Sequence, residues 1–170
     1  NLRKRHCKDT KNIGMAEKKQ ANSYESIMKD LKARKFAPVY VLMGDEPFYI
    51  DKICDYIAEN VLQPEERDFN QTVLFGADTT AVQVVDQCKG YPMMAEFRVV
   101  IVKEAQNLKS LDALEKYLEK PVKSTVLVIC NKNGSIDRRK KFIPRAEQVG
   151  VVFESKKLYD RQLPGFIETY

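Results

Sequence analysis

The chain has a single histidine, His6. Its four cysteines, Cys7, Cys54, Cys88 and Cys130, lie far apart and show no C-x-x-C spacing. A tetrahedral zinc site needs clustered Cys and His ligands, so none is expected, and neither is a metal or cofactor of another kind. A Cys–His nucleophile pair is excluded on the same ground. Three of the cysteines fall within apolar patterns, where a free thiol behaves as a small hydrophobe. No apolar run approaches the ~20 residues that span a bilayer. There is no secretory h-region and no disulfide framework, a combination that points to the cytoplasm. Repeats and low-complexity tracts are also missing.

Basic charge is scarcer than the net value of +5 suggests. Arg3, Lys4, Arg5, Lys8 and Lys11 stand against Asp9 alone, so residues 1–14 supply +4 and all the rest +1. A nucleic-acid-binding domain carries its basic excess on the folded part; here the excess lies in a segment without hydrophobic periodicity. Residues 1–14 are read as a leader or tag ahead of Met15. The remainder is ordinary for a globular chain, 44% hydrophobic and 31% charged over a total of 170 residues. That length fits one domain and the start of a second, burying about 70% of the unfolded surface.

Helical and strand patterns alternate. Tyr24, Ile27, Met28 and Leu31 form one stripe of a helix over 22–35, capped by Asn22 or Ser23. Val39–Met43 is a continuous apolar run, the mark of a strand covered on both faces. Gly44-Asp45-Glu46-Pro47 is a turn, and Pro47 suits the first position of the helix that carries Ile50, Ile53, Cys54, Ile57 and Val61. Further strands are expected at 72–76, 98–102, 125–129 and 149–153. Helices are expected after Thr80, with Val84, Val85 and Cys88 inward, and over 110–120. The fold class is therefore α/β, a mainly parallel five-stranded sheet flanked by helices. Residues 160–170 begin another amphipathic helix (Leu163, Phe166, Ile167), which is expected to continue into a further domain.

In open α/β sheets ligands sit at the carboxyl ends of the strands. A phosphate-binding loop there needs G-x-x-x-x-G-K-[ST]. The turn Gly44-Asp45-Glu46-Pro47 lacks the second glycine, loses an N–H at Pro47 and puts two carboxylates where phosphates would sit. A magnesium-binding strand end needs acidic residues, but the strand 98–102 is followed by Lys103. Glu104 reads as a solvated strand-end carboxylate and Asn131 as a turn-capping residue. Lys132, Arg138, Arg139, Lys140 and Lys141 are interrupted by Asp137 and read as a solvated helix face.

Two stretches carry a family resemblance. Residues 38–47, PVYVLMGDEP, followed by FYIDKICDYI, resemble the opening of the delta subunit of the bacterial DNA polymerase III clamp loader. Residues 91–102, YPMMAEFRVVIV, resemble its second signature: proline, two bulky apolar residues, a small residue, Glu, a variable position and Arg before an apolar strand. Lys103–Gln106 and Ser155–Leu163 fit as well, so the likeness covers about residues 22–170. It implies an AAA+-like fold of the P-loop NTPase type with degenerate nucleotide motifs over 15–157, and the start of a helical lid at 158–170. It also implies a protein that is not an enzyme in isolation but part of the polymerase holoenzyme. Its partners would be the sliding clamp (the beta subunit) and the gamma/tau and delta prime subunits, the latter mainly through a C-terminal domain, with DNA met indirectly. In the family two adjacent apolar side chains at a helix end enter a pocket on the clamp and help to open the ring. That role falls on Met93 and Met94, with Tyr91 and Pro92 beside them. Two methionines depart from the usual Leu or Phe, and the alternative is that both face this domain's own core. The competing function is a divergent AAA+ or P-loop ATPase with weak nucleotide binding. A nucleic-acid-binding module would rest on residues 1–14 and 132–141.

Overall fold

The computed structural model describes residues 22–156 except Arg138. The expectations for 1–14 and 160–170 lie outside the described residues. The first helix, α1 (Tyr24–Lys32), begins at a reciprocal capping box in which the side chains of Ser23 and Ser26 each accept from the other's backbone N–H. It buries Ile27 and Leu31 and ends before β1 (Val39–Gly44). Helix α2 (Pro47–Asn60) follows, with Pro47 in its first turn and Ile50, Ile53, Cys54 and Ile57 buried. Next come α3 (Pro64–Asn70), β2 (Gln71–Phe75), α4 (Ala81–Cys88), β3 (Arg98–Lys103) and a short 3-10 turn at Ala105–Asn107. The chain then forms α5 (Asp112–Tyr117), β4 (Thr125–Lys132), α6 (Phe142–Val149) and β5 (Val151–Ser155).

The sheet has five strands in the order β2-β3-β4-β1-β5, and every paired strand runs parallel. The strands between the edges read as continuous apolar runs because they are covered on both faces. Along β1, Val39, Val41 and Met43 meet one layer with α4, α5 and α6, while Tyr40 and Leu42 meet the other with α1 and α2. This period-two division supplies two separate cores from one strand. β2 lies at an edge and leaves Val73 and Phe75 exposed.

Several expectations need correction. Helices α3 and α6 fall in stretches for which the sequence suggests no helix. β2 and β5 are displaced from their expected positions; β5 starts after Gly150, where a side chain would strike the carbonyl of Val39. The described basic residues Lys132, Arg139, Lys140 and Lys141 do not share a helix face: Lys132 ends β4, Asn133 has φ 60° and Gly134 φ 139°, and the next helix begins at Phe142, while Arg138 lies outside the described residues. Asp137 accepts from the backbone and guanidinium of Arg139, an arrangement that suits a turn.

Candidate docking site and the closed strand end

β1 and β4 are neighbours whose onward connections run in opposite directions across the sheet. Their carboxyl ends are where a nucleotide would lie in this architecture. In this chain the place is filled from within. The Gly44 amide donates to the carbonyl of Gly134 at 2.9 Å, forming an isolated antiparallel bridge that lays the β4–α6 connection across the end of β1. The Glu46 amide reaches the Ser155 carbonyl at 3.4 Å. The Phe48 amide is capped by the Glu46 carboxylate at 3.2 Å. Pro47 has no N–H to offer. The start of α2 could otherwise receive an anion, but it already holds a carboxylate of its own. Gly44 is required here: its φ is +128°, and a Cβ would stand 1.9 Å from the Ser155 oxygen.

The neighbouring strand ends are also engaged. Lys132 pairs with Asp51 at 2.6 Å, and that hydrogen bond raises the Lys132 pKa. Asn131 donates to the Gly134 carbonyl at 3.0 Å and closes the turn. Lys103 is exposed at the end of β3, beside a hollow of about 190 Å³ that also meets Asp51, Glu104, Cys54 and Cys130. The two buried thiols hydrogen-bond to each other, which lowers the Cys54 pKa and raises that of Cys130. Among the described residues no cluster of three or more His, Cys, Asp or Glu could hold a metal ion. No helix among them is long and apolar enough to cross a membrane.

The second region is the connection from α4 to β3, residues 89–97. Both its ends are fixed. Arg98 donates to the Gln87 backbone and side-chain oxygens, each at 2.7 Å, and the Thr125 hydroxyl donates to the Cys88 carbonyl at 2.6 Å. These bonds satisfy carbonyls that the last turn of a helix leaves open. Ala95 and Phe97 pack inward, the latter edge-on to Phe36 at 5.4 Å between ring centroids. The middle is held by Asn70, the last residue of α3. Its side chain accepts from the Met93 amide at 2.6 Å and donates to the Met93 carbonyl at 2.9 Å.

With the backbone so fixed, Tyr91, Met93 and Met94 turn outward. Tyr91 is 85% exposed, Met93 59% and Met94 fully so, while Pro92 is half-buried. Met94 has φ 56°, in the left-handed region. The core position considered for Met93 and Met94 is therefore not the one they occupy. The pair lies in irregular chain rather than at the end of a helix. Sequence reasoning missed Asn70 and Phe69, which lie in the unrecognised α3; the signal available was Gln63-Pro64 followed by Glu66, whose side chain returns to the Gln63 amide at 2.8 Å.

Comparison with known proteins agrees with the resemblance. The family model described as DNA polymerase III, delta subunit matches residues 40–156. The curated DNA polymerase III subunit delta of Bacillus subtilis (strain 168) is 28% identical over 150 residues, covering 82% of this chain and 43% of that protein. The solved structure of a Bacillus subtilis DNA clamp loader delta protein superposes with a TM-score of 0.75 at 27% identity, over 85% of this chain and 45% of its own. The chain thus spans less than half the length of these relatives. With the matched region covering both the closed strand end and the Met93–Met94 connection, this chain belongs to the DNA polymerase III delta subunit family.

Proposed function

We propose that the described domain is the clamp-gripping part of a clamp-loader delta subunit. Met93 and Met94 enter an apolar pocket on the sliding clamp, Tyr91 and Pro92 flank the contact, and the grip helps to open the ring during DNA replication. The domain hydrolyses no ATP. Hydrolysis falls to other subunits of the gamma/tau type, which this protein would meet, together with delta prime, mainly through a C-terminal domain. DNA is met only indirectly. The observation that carries this reading is the exposed methionine pair on a connection whose backbone is tied down at Gln87, Cys88 and Met93. Methionine side chains are flexible and polarisable and adapt to a pocket, and contiguous exposed apolar groups mark interaction sites. The ATPase alternative is opposed by the internal hydrogen bonds at Gly44, Glu46 and Phe48.

The test is titration of the protein into the sliding clamp of the same organism, followed by surface plasmon resonance without nucleotide. Saturable binding in the micromolar range or tighter, about −8 kcal/mol, is expected, unchanged by adding Mg-ATP. Absence of saturation by about 1 mM, or binding that requires ATP, overturns the proposal.

A further inference from the structure

We propose that Asn70 is the positioning residue of the clamp anchor and that Phe69 is a third apolar side chain on the same docking surface. This rests on the reading of Met93 and Met94 as that anchor. Asn70 is 1% exposed, and two of its hydrogen bonds go to the backbone of a single residue 23 positions away. Its third, from Nδ2 to the Glu66 carbonyl at 2.9 Å, ties it to its own helix. Serving the N–H and C=O of Met93 together takes one acceptor and one donor on a short planar side chain. A carboxylate lacks the donor, and a hydroxyl is too small to span both groups. Buried polar groups are satisfied as a rule; here the satisfaction also fixes the backbone from which the next side chain, Met94, projects in a left-handed conformation. Such strained backbone at an exposed apolar residue persists when its surroundings hold it, and it is a mark of pre-organised binding.

Phe69 adjoins this lock and is 67% exposed. With Met93, Met94, Asn70 and the acidic pair Glu65 and Glu66 it lines a groove of about 380 Å³. A single exposed aromatic is ordinary, but a phenylalanine sharing a groove with both anchor residues enlarges one continuous apolar patch. The occupant is therefore the clamp surface bordering the methionine pocket, apolar opposite Phe69 and cationic opposite Glu65 and Glu66.

The experiment measures clamp affinity and thermal midpoint for Phe69→Ala, Asn70→Ala and Asn70→Asp, each alone and combined with Met94→Ala. Phe69→Ala removes an exposed group, so folding should be kept while affinity falls about fivefold or more. Both Asn70 variants should weaken binding about tenfold when assayed well below their midpoints, and that factor should shrink to within about twofold once Met94 is already Ala. Asn70→Asp keeps the volume and the acceptor, so it answers for Asn70→Ala should the latter fold poorly. Affinity within about twofold of wild type overturns the role of Phe69 or of Asn70, whichever variant shows it. An Asn70 effect of equal size with and without Met94 shows a structural role only and overturns the positioning proposal. If Met93→Ala/Met94→Ala itself binds the clamp as wild type does, the anchor reading fails, and that failure is seen without any Asn70 variant.

Discussion

At the carboxyl end of β1, the backbone amides of Gly44, Glu46 and Phe48 are taken up by groups of the same chain. Along Tyr91–Met94, the backbone is held from outside the segment by Asn70 and the side chains are left in solvent. The first region has lost the free donors that a phosphate would need. The second carries exposed apolar area that its own core does not use. On the function proposed above, a nucleotide-fold scaffold retains its sheet while binding is carried by side chains on a connection near the opposite edge rather than by backbone groups at a strand end. The difference has a physical basis. An anion is bound by oriented N–H groups, which internal carbonyls and carboxylates can neutralise, whereas an apolar pocket is filled by side chains that need only be presented.

The contrast breaks first at Gly44. Gly44→Ala would place a Cβ against the Ser155 oxygen at a φ that L-residues rarely adopt. The closure of the strand end should make this costly, about 3–5 kcal/mol, or a fall in midpoint of roughly 10 °C. Differential scanning calorimetry measures it. A midpoint within about 2 °C of wild type would mean that the β1 end yields easily and is not a closed structure.

Replacing Met93 and Met94 together by alanine tests the opposite region, and the effect should appear in binding rather than folding. Burying a methionine side chain is worth about 1.5–3 kcal/mol. The double variant should lose about 3–5 kcal/mol of clamp affinity, a factor of several hundred or more, while its midpoint stays near that of wild type because both side chains are exposed. Two buried methionines would show the reverse, each costing about 2–5 kcal/mol of folding stability. A double variant with wild-type affinity removes the docking role from this segment.

A smaller effect is expected for Lys132→Met. The Lys132–Asp51 pair is partly exposed, so it contributes about 0.2–1 kcal/mol. Its pKa is raised by the Asp51 hydrogen bond. The contribution is therefore complete below the unfolded lysine value, about 10.4, and is lost as pH rises through the higher folded value. Wild type and variant should differ slightly and constantly between about pH 6 and 9, and converge only above about pH 10.4. Convergence near neutrality in thermal melts would contradict the pairing.

Much of this was legible in the sequence. The central strands announced themselves because a parallel strand covered on both faces is apolar along its run, as Val39–Met43 and Val126–Ile129 are. The turn at Gly44–Pro47 could be read as unfit for phosphate from residue types alone. The ways in which that end is closed could not, because Gly134 and Ser155 reach it through tertiary structure from far along the chain. Helix α3 was missed because seven residues, five of them polar, give no hydrophobic stripe. With it went Phe69 and Asn70; the hydrogen bonds between Asn70 and Met93 join residues 23 positions apart, and no local pattern announces them. The outward direction of Met93 and Met94 was likewise undetermined: two adjacent apolar residues near apolar strands suit a core equally well until the backbone path is known.

The smallest expected effect is none at all, in a titration with Mg-ATP. Phosphate binding at a strand–turn–helix unit draws on free N–H groups, a lysine and a metal held by acidic residues. Here the Gly44 and Glu46 amides already donate to the Gly134 and Ser155 carbonyls, and Pro47 has no donor. The Glu46 carboxylate lies on the Phe48 amide, so an incoming phosphate would have to displace a negative charge and then face Asp45 beside it. Lys132 is paired with Asp51, and Lys103 stands where a magnesium ligand would be needed. Freeing the Gly44 amide for a ligand would break the Gly44–Gly134 bridge. Calorimetric titration with Mg-ATP or Mg-ADP should therefore give only heats of dilution, and the thermal midpoint should not move at millimolar nucleotide. Saturable binding below about 100 μM, roughly −5.5 kcal/mol or better, would show that the strand end opens, and the division between a closed nucleotide position and an open docking connection would no longer hold.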